Sequence, residues 1–187
     1  MKTEKIDLRV RYTKSLLKKA LVELMRENPI TKISVKSLCE AANINRSTFY
    51  AHYTDQYDLL HQVLQEVIVE IKRHISDDDA LYSQRLEAMN KMLDYIAKNA
   101  DLFIVLLSEN GDRSFQNEIM LLAQKKIISD YQEEHTINAR VSGYLQEYII
   151  AGPLSIVQKW LQDGMPESTK EMTELISTLL HKGLSAF

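Results

Sequence analysis

The chain is poor in turn-forming residues. Its 187 residues include 5 Gly and 3 Pro, about 4% of the total against a usual background of about 12%. All five glycines, at positions 111, 143, 152, 164 and 183, fall after residue 110. Sheet-rich folds need many tight turns, and those turns draw on Gly, Pro or Asn for their special backbone angles. Sandwiches, barrels and glycine-rich phosphate loops are therefore disfavoured, and an all-α fold is expected.

Cysteine is scarcer still. Cys39 stands alone, so an intrachain disulfide and a thiolate zinc set are both excluded, which fits a reducing compartment. Long apolar runs are missing too. The longest, Leu102 to Leu107, has 6 residues, far short of the roughly 20 that a membrane span needs. The first residues, Met1-Lys2-Thr3-Glu4-Lys5-Ile6-Asp7, lack the apolar stretch of a signal peptide. The expectation is a soluble cytoplasmic protein with no membrane partner.

Catalytic sets are absent as well. The five histidines (52, 61, 74, 135 and 181) are scattered, with no His-x-x-x-His and no Glu-x-x-His spacing. Asp77-Asp78-Asp79 lacks the spacing of a calcium loop and reads as an acidic link between helices. Neither a nucleophile elbow nor a P-loop nor a dinucleotide fingerprint occurs. No enzyme activity, cofactor or metal is expected.

What is present is helical periodicity. Residues 8–27 place Leu16, Leu17, Ala20, Leu21, Leu24 and Met25 on one face and Arg9, Lys14, Lys18, Lys19 and Arg26 on the other. Pro29 marks the end of that helix. Ser34 can N-cap a short helix from Val35 to Ala42. Asn43 then sits where a tight turn wants a residue tolerant of positive φ, for which Asn ranks after Gly. Asn45 can cap a second short helix, Arg46 to His52, and Asp55 a longer one from Gln56 to Arg73. Two short helices joined by a turn of about three residues form a helix-turn-helix.

Further helices are expected from Tyr82 to Asn99, Leu102 to Ser108, Ser114 to Glu133, Ala139 to Gln162 and Thr169 to Leu184. Gly152-Pro153 should kink the fourth of these. Gly164 closes it, and Ser168-Thr169-Lys170-Glu171 opens the last one as a capping box. The domain division read from this pattern is 1–60 for the helix-turn-helix, 61–187 for a helical remainder, and a connecting helix at 56–73.

In the second short helix, Phe49 is placed to point inward, leaving Arg46, Ser47, Thr48, Tyr50 and His52 on the outer faces. One cation, two hydroxyls, a phenol and an imidazole without a carboxylate suit a polyanion. The helix amino terminus adds partial positive charge. The overall net charge of −3 and pI near 6.0 conceal this asymmetry. Residues 1–60 hold 11 Lys+Arg and 7 Asp+Glu, a balance of +4, whereas residues 61–187 hold 12 and 19, a balance of −7. A basic head on an acidic body would steer the head toward DNA.

From Arg9 to Leu64 the chain resembles the DNA-binding domain of the TetR/AcrR family of bacterial transcription regulators. The residues that carry the likeness are Ile33-Ser34-Val35, Ala41-Ala42-Asn43-Ile44-Asn45, Ser47-Thr48-Phe49-Tyr50-Ala51-His52-Tyr53 and Leu59-Leu60. Three positions depart from the family pattern: Asn43 replaces a Gly, Tyr53 a Phe, and Gln56 a Lys that would touch phosphate. The resemblance implies a three-helix amino-terminal domain whose third helix enters the major groove. Arg46, Ser47, Thr48 and Tyr50 would face DNA, His52 and Tyr53 its backbone, and Ser34 and Lys36 phosphate, with Asn45 at the helix start.

A reader of palindromic DNA needs two recognition helices about one duplex turn apart, so a homodimer is expected. Ile150, Leu154, Val157, Trp160 and Leu161 on one helix, with Leu175, Ile176, Leu179 and Leu180 on the next, are the candidate interface. Met89, Met92, Phe103, Phe115, Met120, Tyr144 and Tyr148 are candidates to line a small-molecule pocket, alongside their ordinary role as core. The function expected from the resemblance is a sequence-specific, homodimeric DNA-binding regulator, a repressor under control of an effector. The alternative is a helical co-regulator that works through a protein partner.

Overall fold

The computed structural model describes residues 2–74, 82–132 and 139–184. Among them all regular structure is helical: α1 Lys2–Met25, a single 3-10 turn Ile30–Lys32, α2 Val35–Ala41, α3 Arg46–Tyr50, α4 Gln56–His74, α5 Tyr82–Lys98, α6 Ala100–Leu106, α7 Arg113–Gln132, α8 Ala139–Gln162 and α9 Thr169–Leu184. The expected ends of α5 and α7 to α9 hold to within one residue. The acidic link at 76–79, His135 and the side chain of Ile150 lie outside what is described.

The helix bounds depart from the sequence reading at α1 and α3. α1 reaches back to Lys2, ahead of the expected start at Leu8. Its end comes at Met25, with Pro29 instead capping the 3-10 turn. α3 stops at Tyr50, where Ala51 and His52 form a turn whose N–H groups already bond back to Ser47 and Phe49. α8 is assigned as one helix across Gly152-Pro153.

The fold divides into two compact units, Met1–Val67 with Val105–Gly111, and Ile68–Ile104 with Asp112–Phe187. The core of the first is built from Leu17, Leu21 and Met25 of α1, Leu38 of α2, Phe49 of α3 and Leu59 of α4, all at most 1% exposed. α1 packs on α2 and α2 on α3, while Lys18 Nζ pairs with Glu66 Oε2 at 3.2 Å between α1 and α4. The turn at 108–111 joins this unit through Asn110 Nδ2, which donates to the Arg26 carbonyl at the end of α1 (3.3 Å).

In the second unit α5 packs on α9, α9 on α8 and α8 on α7. The α5–α9 seam is partly polar. Tyr82 Oη and Ser177 Oγ share a hydrogen bond at 2.8 Å, and Thr169 Oγ1 donates to Asp94 Oδ1 at 2.6 Å. Thr173 Oγ1, buried between them, donates to the Thr169 carbonyl at 2.8 Å. Buried hydroxyls are tolerated when bonded in this way.

Candidate nucleic-acid interface

α2 starts from a reciprocal cap. Ser37 N–H donates to Ser34 Oγ at 3.1 Å, and Ser34 N–H donates to Ser37 Oγ at 3.0 Å, satisfying two donors that a helix start leaves open. The helix ends in a Schellman turn. Asn43 has φ +52°, its N–H bonds the Glu40 carbonyl, and Ile44 N–H bonds the Cys39 carbonyl, the paired 5→2 and 6→1 pattern of that motif. Asn43 therefore does the work expected of Gly, helped by the short polar side chain that lets Asn visit this region.

α3 begins two residues later from Asn45, whose Oδ1 accepts from Thr48 N–H at 2.8 Å, Thr48 Oγ1 at 2.6 Å and Ser47 Oγ at 2.8 Å. Phe49 is wholly buried, and its ring meets Tyr50 edge-on at 5.6 Å and Tyr53 at 5.7 Å. That anchor rotates α3 so that Arg46, Ser47 and Tyr50 are exposed and Thr48 and His52 half-buried. Tyr50 is 58% exposed. Between Glu40 and Asp55 no acidic residue occurs.

Tyr53 sits differently from its neighbours. It is only 5% exposed, with Lys14 Nζ 5.7 Å above its ring and the His52 ring at 6.4 Å. Burial, with the Glu66 and Asp58 charges, pushes its hydroxyl pKa up to about 12. Cys39 is also buried, and burial raises its thiol pKa although the Arg46 charge pulls the other way. It is a core residue and no nucleophile.

Arg46 is exposed on α3, and on α2 the Lys36 ammonium lies 3.8 Å from Glu40 with both partners exposed. Such a pair is worth little in water, so Lys36 can exchange Glu40 for a stronger anion. The amino end of α4 is acidic instead. Asp58 N–H donates to Asp55 Oδ1 at 2.8 Å, while Asp58 Oδ2 accepts from Thr54 N–H at 2.9 Å. That backbone bond, with one from Gln62, holds the Asp58 carboxyl below the ordinary range. With Gln56 in place of Lys, this helix end offers phosphate no charge. Tyr57, 47% exposed on its first turn, escaped the sequence reading, because it lies past the short helix whose outward face carried the argument.

The second unit sorts its candidates by exposure. Phe103 and Phe115 are buried, Met89, Met92 and Met120 half-buried, and Tyr144 and Tyr148 exposed. Tyr95 links the His74 ring (6.0 Å) to that of Phe103 (5.7 Å). On α8 and α9, Val157, Trp160, Leu161 and Ile176 are buried, Leu154 and Leu180 half-buried, and Leu175 and Leu179 exposed. Trp160 Nε1 donates to the Glu167 carbonyl at 3.0 Å. The α8 end is a second Schellman turn, with Gly164 at φ +82°, and Ser168 and Glu171 close the capping box that opens α9.

Comparison with known proteins gives a consistent picture. The family TetR_C_8, described as a transcriptional regulator C-terminal region, matches residues 83–182. The HTH-type transcriptional regulator YxbF of Bacillus subtilis is 33% identical over 76 residues, covering 40% of this chain and 20% of that protein. The HTH-type dhaKLM operon transcriptional activator DhaS of Lactococcus lactis is 28% identical over 105 residues, 55% of this chain and 54% of that one. The matched stretches thus span about half or less of these curated relatives. A TetR transcriptional regulator from Streptococcus agalactiae shares the fold at a TM-score of 0.64, with 20% identity, over 95% of this chain and 98% of that one.

Proposed function

The chain belongs to the TetR family of transcriptional regulators, and on that premise we propose that it is a homodimeric repressor that reads a palindromic operator through α3. The family is one of regulators and not of enzymes. The observation that carries the reading is the outer surface of α3. Arg46, Ser47, Thr48 and Tyr50 are presented together on a helix held by the Asn45 cap and the buried Phe49, with no carboxylate from residue 41 to 54. Arg suits guanine or phosphate, the hydroxyls suit base edges or phosphate, and Ser34 and Lys36 suit the phosphates beside them. Tyr53, being buried, acts by holding the turn after α3.

Dimerisation is assigned to α8 and α9. Leu175 and Leu179 lie one turn apart on α9, exposed at 45% and 42%, and Tyr144 and Tyr148 repeat that spacing on α8. Apolar side chains that the single chain leaves in water fit an isologous contact better than a pocket wall. Tyr144 and Tyr148 accordingly belong to the interface and not to an effector site, which Phe103, Phe115, Met89, Met92 and Met120 would line. A cytoplasmic location follows from a DNA target.

A second reading, a co-regulator acting through a protein partner, is favoured by one feature. Asp55 and Asp58 occupy the start of α4 where phosphate would sit. Gel-shift competition on the DNA upstream of the coding region separates the two. Under the first reading a specific duplex outcompetes random DNA, Arg46→Ala lowers the specific affinity, and Lys36→Ala weakens all sequences alike. A wild-type protein that shows no preference for any duplex supports the second.

A further inference from the structure

The Asn45 cap does more than start α3: it sets the polarity of the two hydroxyls beside it. A backbone N–H can only donate, so the Asn45 atom 2.8 Å from Thr48 N–H is the carbonyl oxygen. The amide orientation is thereby decided by geometry. Because Oδ1 accepts only, the Thr48 hydroxyl at 2.6 Å and the Ser47 hydroxyl at 2.8 Å must both be donating to it. Each has then spent its one hydrogen. What Ser47 and Thr48 turn outward are lone pairs.

An acceptor-only hydroxyl has restricted partners in the major groove. Phosphate oxygens carry no hydrogen, and neither do guanine O6, guanine N7 or thymine O4. The donors available there are adenine N6 and cytosine N4. We propose that Asn45 is a specificity-positioning residue, which holds Ser47 and Thr48 as acceptors and so makes them select adenine or cytosine on the strand they face. This rests on the DNA-binding reading above. It also removes Ser47 and Thr48 from the phosphate contacts, leaving those to Ser34 and Lys36.

The test is selection of duplexes from a library with a randomised core, sequenced after several rounds, for wild type and four variants. Ser47→Ala and Thr48→Val identify the positions each hydroxyl reads, as those whose base preference disappears. At these positions wild type should favour A or C by about fivefold or more over G or T, as one specific hydrogen bond allows. Asn45→Ala frees the hydroxyls to donate, so G and T should become as acceptable as A and C there while other positions keep their preference. Asn45→Asp retains an acceptor oxygen at the cap and should restore the wild-type profile. A purely structural role would instead lower all enrichment together.

The inference is overturned if wild type selects G or T at the mapped positions, or if Asn45→Ala keeps the wild-type profile. Wild type that enriches nothing overturns it as well, and with it the DNA-binding reading. A profile that enriches sites but ignores Asn45 refutes this inference alone.

Discussion

The interface assignment makes a strong demand on two leucines. Replacing both Leu175 and Leu179 by Asp leaves the core of the second unit intact, since the buried positions among the described side chains of α9 are Met172, Thr173, Ile176 and Ser177. Fully burying a leucine side chain is worth about 2 kcal/mol. At 45% and 42% exposure in the single chain, the two have about 0.9 and 0.8 kcal/mol left to gain on that scale. An isologous contact uses each twice, so the four together supply about 3.5 kcal/mol. That is a weakening of dimer affinity of about 300-fold, and the desolvation of four carboxylates adds to it. Sedimentation velocity across a dilution series, with circular dichroism to check helicity, reads the effect directly. A double variant that stays dimeric at wild-type concentrations, with unchanged helicity, would refute the assignment of this face.

Three further outcomes follow from local geometry. Asn43→Ala, which puts a side chain without a local hydrogen-bonding group at φ +52°, should cost about 1 kcal/mol in urea unfolding; Asn43→Gly should be nearly neutral, because relief of strain is offset by the freer unfolded chain. Trp160→Phe removes the donor to the Glu167 carbonyl and should cost roughly 1–3 kcal/mol, read by thermal melting followed by circular dichroism. Tyr53, with its pKa raised from 10.0 to about 12, holds its proton more tightly folded than unfolded. Its contribution to stability is full below pH 10 and lost as pH rises toward 12, so Tyr53→Phe should flatten the alkaline limb of a stability-against-pH curve.

Much of the fold could be read from cap chemistry. Ser34, Asn45, Asp55, Gly164 and Ser168 each start or stop a helix at the place expected of them, because a cap is a local bond between residues three or four apart. What stayed hidden is set by tertiary packing. The eight apolar interface candidates of α8 and α9 with described side chains, Trp160 and Leu161 among them, look alike in a periodic stripe; only the positions of neighbouring helices decide that Ile176 is buried and Leu175 is not. The burial of Tyr53 under Lys14 and the grouping of residues 105–111 with the first unit come from chain segments far apart in sequence. At the recognition helix, Phe49 announced its inward face by spacing alone. The hydroxyl bonds to Asn45 needed coordinates.

The most direct measurement of the central claim is the ratio of affinities for a selected duplex and a random one of equal length, by fluorescence anisotropy near physiological salt. A sequence-reading regulator should bind the selected duplex about a thousandfold or more tightly, with both affinities falling as salt rises. In Arg46→Ala that ratio should collapse while the salt slope changes by no more than about one phosphate contact. Equal affinity of the wild-type protein for both duplexes would contradict the account.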